Sequence, residues 1–146
     1  MTIATDHLAE GQLYVVDTSV WARTGFSNDV RQALVQRGKS GIPAMAPPVA
    51  LEVGYSARDA QAWDETQRAL AGVLVLPMSA RTHETARDLQ GELWHGGLVR
   101  AVGCIDLLIA LGHDAMVLHD DRDCEHLARV RPDFRQEWIV PPGSVA

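Results

Sequence analysis

The chain has 146 residues, 47% of them apolar and 22% charged, with a formal net charge of −6. That length and apolar share suit one globular domain with its own core, and they exclude a disordered segment. No run approaches the roughly 20 apolar residues of a membrane span, no basic-then-apolar leader opens the chain, and Cys104 and Cys124 are too few and too loosely spaced for a disulfide framework, so the expectation is a cytoplasmic protein with no membrane association.

Residues 1–11 are polar and aperiodic and read as a flexible N-terminal tail, which leaves residues 12–142 for the folded domain. The first strand is Leu13–Val16, and Thr18-Ser19 then caps a short helix through Trp21. A helix is predicted from Asn28 to Arg37, capped by Ser27 or Asn28 and stopped by Gly38, before a loop over Lys39–Pro43 and a short strand at Ala44–Ala46. Pro47-Pro48 opens a helix carried by residues 49–57, and Asp59–Ala71 is a second, closed by Gly72. Val73–Leu76 is an apolar strand stopped by Pro77. Ser79 opens the clearest amphipathic helix, with Thr82, Ala86, Leu89 and Leu93 on one face and Gly96-Gly97 at its end. A loop through Arg100 and Gly103 leads to a short buried helix from Asp106 to Gly112. Ala115–Leu118 is a strand, Arg122–Arg131 a helix ended by Pro132, and Arg135–Val140 the last strand. Strands alternating with helices define an α/β fold with a mainly parallel sheet, in which ligands bind beyond the carboxyl ends of the strands.

Four carboxylates stand at or within apolar segments: Asp17 after Leu13–Val16, Glu52 within Pro48–Val53, Asp106 before Leu107–Ala110, and Asp121 shortly after Ala115–Leu118. Each has an ordinary reading alone. Asp17 suits a helix cap, Glu52 a solvated helix face, Asp106 a helix N-terminus, and the run His119–Asp123 a polar turn whose Asp123 caps the next helix. Leu51 and Val53 around Glu52, and Ile105 and Leu107 around Asp106, argue instead for burial, an expensive setting for an unpaired charge. If the fold gathers the four, their repulsion requires a cation, and an all-oxygen donor set suits magnesium or manganese. The usual chemistry of such a site is phosphate chemistry. The acidic balance is compatible with a phosphate-bearing partner, because metal neutralises clustered acids locally and 12 of the 13 basic residues are Arg, the side chain suited to bidentate phosphate contacts.

These residues, in this order, resemble the PIN-domain ribonucleases and, among them, the VapC toxins of toxin–antitoxin pairs. The resemblance lies in Val15-Val16-Asp17-Thr18-Ser19-Val20, in Glu52 after a proline turn, in Asp106-Leu107-Leu108-Ile109-Ala110, and in Val117-Leu118-His119-Asp120-Asp121-Arg122-Asp123-Cys124. It spans about residues 13–140, with Cys124 where the family usually has Phe. It implies a single PIN-like domain with a parallel central sheet flanked by helices, and a metal-dependent endoribonuclease toxin that hydrolyses RNA phosphodiesters, with transfer or ribosomal RNA as substrate. Asp17, Glu52, Asp106 and Asp121 would hold Mg2+, with Mn2+ able to substitute. Asp123 would support them, and Ser19 would orient the attacking water or hold Asp17. Whether Asp120 or Asp121 faces the metal stays open. The family also implies a cognate VapB-type antitoxin and a homodimer.

Other chemistries fit less well. The Cys and His residues lack zinc-ligand spacing, and neither a Gly-x-Ser-x-Gly elbow nor a phosphate-binding Gly-x-x-x-x-Gly-Lys loop is present. A receiver-like phosphoacceptor domain would need a lysine after a late strand, whereas the one lysine is Lys39. A non-catalytic PIN-like domain that binds RNA or a partner would have no need for a repulsive acid cluster. Arg100 suits a phosphate contact or a surface ion pair, and Trp21, Trp63, Trp94 and Trp138 suit core or interface anchors better than base stacking.

Overall fold

The computed structural model describes residues 11–97 and 112–145. The expected tail therefore lies outside the described residues apart from Gly11, as do Arg100, Cys104, Asp106 and nearly all of the helix expected to follow Asp106. In chain order the described elements are β1 (Gln12–Val16), α1 (Thr18–Thr24), α2 (Asn28–Ser40), β2 (Gly41–Met45), α3 (Pro47–Tyr55), α4 (Ala60–Leu70), β3 (Leu74–Val75), α5 (Ala80–His95), β4 (Met116–His119), α6 (Asp123–Val130) and β5 (Gln136–Trp138). The strands form one sheet in the order β3-β2-β1-β4-β5, with every pairing parallel. The α/β class and the parallel central sheet expected from the sequence are both present.

Alternation along β1 and β4 divides the core between the two faces of the sheet. Leu13 and Val15 of β1, with Val117 of β4, join Met45, Leu89, Leu93, Leu127 and Phe134 in the larger cluster. Val16 and Leu118 point the other way and pack with Val20, Val30, Ile139 and Val140. Strands buried on both faces read as continuous apolar runs, which is why these two were legible in the sequence. Trp21 packs against both clusters and donates its indole N–H to the Val16 carbonyl at 3.2 Å, acting as an anchor of the fold. Trp138 likewise packs its ring on His119, with centroids 4.8 Å apart.

Several element boundaries differ from expectation: α1 runs on to Thr24 and β5 is confined to Gln136–Trp138. Gly38 does not stop α2, which runs on to Ser40 and ends at Gly41. There the chain turns directly into β2, whose register opposite β1 begins at Gln12↔Gly41, so the stretch expected to be a loop is half strand. Pro43 is tolerated because β3 pairs only with Ala44 and Met45, leaving β1 as the single neighbour at that position. β3 is shorter than the Val73–Leu76 run. As an edge strand it leaves Leu74 and Val75 exposed, while Leu76 beyond it is buried.

The two glycines make opposite predictions. A Cβ at Gly41 would collide with the Gln12 carbonyl oxygen and lie 2.8 Å from Tyr14 Cδ2, whereas one at Gly38 meets nothing within 4 Å. Gly41→Ala should therefore lose about 1–3 kcal/mol of unfolding free energy. Gly38→Ala, in a helix interior, should gain about 0.5–1 kcal/mol. Urea denaturation of both variants checks the pair, and a neutral Gly41→Ala would contradict the close packing of β1 on β2.

Candidate active site

The strand order places β1 at the point where the chain reverses its direction of travel across the sheet: β2 and β3 lie to one side of it, β4 and β5 to the other. In open parallel sheets the crevice for a ligand opens at this switch point, beyond the carboxyl ends of the two strands that flank it. Here those strands are β1 and β4, paired through Val16↔Leu118. Asp17 follows β1 at once, and its backbone N–H donates to the Leu118 carbonyl at 2.9 Å. Asp120 and Asp121 follow β4. The ladder itself thus brings Asp17 and the acidic run after His119 to one end of the sheet.

Asp17 is also the N-cap of α1, accepting the Ser19 backbone N–H on Oδ2 at 3.0 Å. A cap and a ligand need only one carboxylate oxygen each, so the two sequence readings of Asp17 are compatible. The Thr18 hydroxyl beside it is buried and without a hydrogen-bond partner among the described residues. Ser19 holds Asp17 through its amide, while its Oγ accepts the backbone N–H of Asp120 at 2.9 Å and so ties α1 to the turn after β4.

That turn is set by hydrogen bonds to its backbone. His119 is fully buried; its Nδ1 accepts the Asp121 N–H at 3.2 Å, and its Nε2 meets Gln136 Oε1. Because Nδ1 is the acceptor and a carbonyl oxygen faces Nε2, the neutral ring carries its proton on Nε2. Asp121 Oδ1 accepts the Asp123 N–H at 2.9 Å at the start of α6, so Asp121 is the acid that serves the helix end, in place of the expected Asp123. Asp123 lies in the first turn with His126 Nδ1 3.7 Å from its Oδ1. Asp120 instead pairs with Arg23 of α1, and its side chain is only 7% exposed.

Glu52 departs from expectation. It lies on α3, which packs against α1, but it is exposed, and its carboxylate makes no ion pair among the described residues. The helix buries Val49 and partly buries Ala50 and Val53, and about 100° of rotation per residue turns Leu51, Glu52 and Tyr55 to solvent. The apolar neighbours in sequence were a poor guide to burial because they lie on different faces. Among the described residues no group of three or more His, Cys, Asp or Glu side chains is gathered to hold a metal ion, and Asp106 lies outside them. The donor chemistry at the strand ends, carboxylate oxygen from Asp17 and Asp121, is that of a hard divalent cation. Cys124 is buried in the larger core, a packing role consistent with its standing in for a larger side chain. Lys39 lies in the last turn of α2 just before the amino end of β2, the opposite end of the sheet from Asp17, which argues against the receiver-like reading.

The five-stranded parallel sheet, with acids at the carboxyl ends of β1 and β4, agrees with the PIN-like fold expected from the sequence. Ribonuclease VapC51 of Mycobacterium tuberculosis is 35% identical over 135 residues, covering 90% of this chain and 96% of that protein. Ribonuclease VapC18 of the same organism is 32% identical over 138 residues, covering 91% and 99%. The chain belongs to the VapC ribonuclease family. Its fold matches a chain of VapBC2 from Rickettsia felis bound to a promoter DNA fragment, with a TM-score of 0.70, 17% identity, and 87% of this chain and 98% of that one covered. It also matches a chain of VapBC-1 from nontypeable Haemophilus influenzae, with a TM-score of 0.63, 18% identity, and coverage of 88% and 98%. No protein-family model matches the chain. No helix among the described residues is long and apolar enough to cross a membrane.

His119→Leu retains much of the ring's volume but leaves the Asp121 N–H and the Gln136 side chain without their partner. Leaving those half-buried groups without their partner should cost about 1 kcal/mol of stability. Urea denaturation against wild type measures it, and an unchanged midpoint would show that the turn does not depend on the imidazole.

Proposed function

We propose that this chain is the ribonuclease toxin of a toxin–antitoxin pair, hydrolysing RNA phosphodiester bonds with a magnesium or manganese ion held at the carboxyl ends of β1 and β4. The observation that carries the reading is the juxtaposition of Asp17 and the Asp121 turn across the switch point, in a chain that aligns with VapC ribonucleases over nearly its whole length. Asp17 and Asp121 are the proposed core of the ligand set, with Asp106 and Glu52 completing it. Glu52 is exposed on a helix that packs on α1, and its place in the set is part of the proposal.

A bound divalent cation would supply Lewis acidity toward the scissile phosphate and make an attacking water more acidic. The protein's part is to hold the carboxylates in place, with the Ser19 amide on Asp17 and the Asp123 amide on Asp121. Asp123 is proposed to support the site through its first-turn carboxylate, and Ser19 to position Asp17 through its amide. Transfer or ribosomal RNA is the proposed substrate, a VapB-type antitoxin the proposed inhibitor, and a homodimer the proposed assembly. The two matched structures are VapBC proteins, which favours an antitoxin partner.

Two measurements test this. Asp17→Asn should fold as wild type and abolish manganese-dependent cleavage of pooled transfer and ribosomal RNA; an active Asp17→Asn enzyme would remove Asp17 from the site. Millimolar manganese should also raise the melting temperature of the wild type, through a stabilisation of about 2.7 kcal/mol once the metal reaches 100 times its dissociation constant. A melting curve indifferent to metal would favour a domain that binds RNA or a partner without turnover.

A further inference from the structure

Asp120 is the one acid of the β4 turn that the proposed function does not use, and its environment is specific. Its side chain is 7% exposed and pairs with Arg23 Nε, a burial that would be costly without the guanidinium. The same guanidinium donates from Nη1 to the Ser19 carbonyl at 2.6 Å. Ser19 closes the circuit, since its Oγ accepts the Asp120 N–H at 2.9 Å and its own N–H donates to Asp17 Oδ2 at 3.0 Å. Arg23, Ser19 and Asp120 thus form a ring of contacts that fastens the first turn of α1 to the residue directly before Asp121.

We infer that Asp120 is a positioning residue rather than a metal ligand: its ion pair with Arg23, closed through Ser19, fixes the separation of the Asp17 and Asp121 carboxylates. The inference rests on the metal-dependent reading above and extends it to two residues outside the proposed ligand set. A carboxylate engaged by a guanidinium has its charge already compensated, so adding a cation there gains less than at Asp121. Fixing both segments in advance also lets Asp17 and Asp121 receive a cation without rearranging the backbone, as outer partners of metal ligands commonly do. One Arg further offsets one of the negative charges crowded at this end of the sheet, which eases assembly of the site in the absence of metal.

The test is manganese affinity by isothermal titration calorimetry on the full chain, for wild type, Asp120→Asn, Arg23→Gln and the double variant, alongside urea denaturation without metal and the kcat and KM of RNA cleavage. Each single substitution should weaken manganese binding about 10-fold to 100-fold. The double should be no worse than either single, and kcat should fall with KM little changed. Loss of binding in Asp120→Asn as complete as in Asp17→Asn, with wild-type affinity in Arg23→Gln, would make Asp120 a ligand and overturn the inference. Wild-type affinity in both singles would reduce the pair to a structural clamp and overturn it equally. Failure of the wild type itself to bind manganese would instead remove the metal site on which the inference stands. Should Asp120→Asn fail to fold, Asp120→Glu and Arg23→Lys retain both charges and alter only the geometry; weakened affinity in these two supports positioning, and unchanged affinity contradicts it.

Discussion

The parallel pairing of β1 with β4 is the constraint on which the rest of the molecule depends. These strands are far apart in sequence, yet each is buried on both faces, and Val15, Val16, Val117 and Leu118 are all fully inaccessible to solvent. Burying four such side chains contributes several kcal/mol by itself, at roughly 1.5–3 kcal/mol each. That apolar energy fixes the carboxyl ends of the two strands side by side, where Asp17 and the Asp120–Asp121 turn leave the sheet. The register Val16↔Leu118 then decides which acids meet, because a slip of one residue would turn every side chain of β4 to the wrong face.

Around this pairing, polar contacts do the finer work of aiming the acids. Almost all of them run through the backbone: Ser19 N–H to Asp17, Asp123 N–H to Asp121, and His119 Nδ1 from the Asp121 N–H. Backbone donors are set by the strand and helix ends, so the acids inherit the rigidity of the sheet. The Arg23–Asp120 pair is the exception, a side-chain contact that joins the α1 and β4 segments directly. Family membership agrees with this arrangement, since the similarity to the two VapC ribonucleases covers 90% and 91% of the chain.

What was legible in the sequence was whatever depends on local pattern. Both buried strands stood out as apolar runs, and the helix starts stood out too: Ser27 as a cap of α2, Asp59 at the start of α4 and Ser79 opening α5, where the structure adds a capping box with Thr82. Order alone also placed Asp17 and Asp121 at strand ends. The misreadings share a cause. Gly38 looked like a helix stop, but the end of α2 is decided by where β2 must join β1, a tertiary requirement. Glu52 looked buried because its sequence neighbours are apolar, but helical rotation sends Leu51 and Glu52 outward and Val49 and Val53 inward. The role of Asp120 was beyond sequence reasoning, since its partners Ser19 and Arg23 come from the other end of the chain, Ser19 being 101 residues away. No local signal marks an ion pair of that span.

The central claim is that the ends of β1 and β4 form one divalent-metal site. It is tested most directly by a crystal structure of the protein soaked in manganese, with anomalous diffraction recorded at the manganese edge. A single strong anomalous peak, or a close pair, coordinated directly by Asp17 and Asp121 is the result this account predicts. A peak held by other residues, or none at saturating manganese in crystals where both turns are ordered, would contradict it.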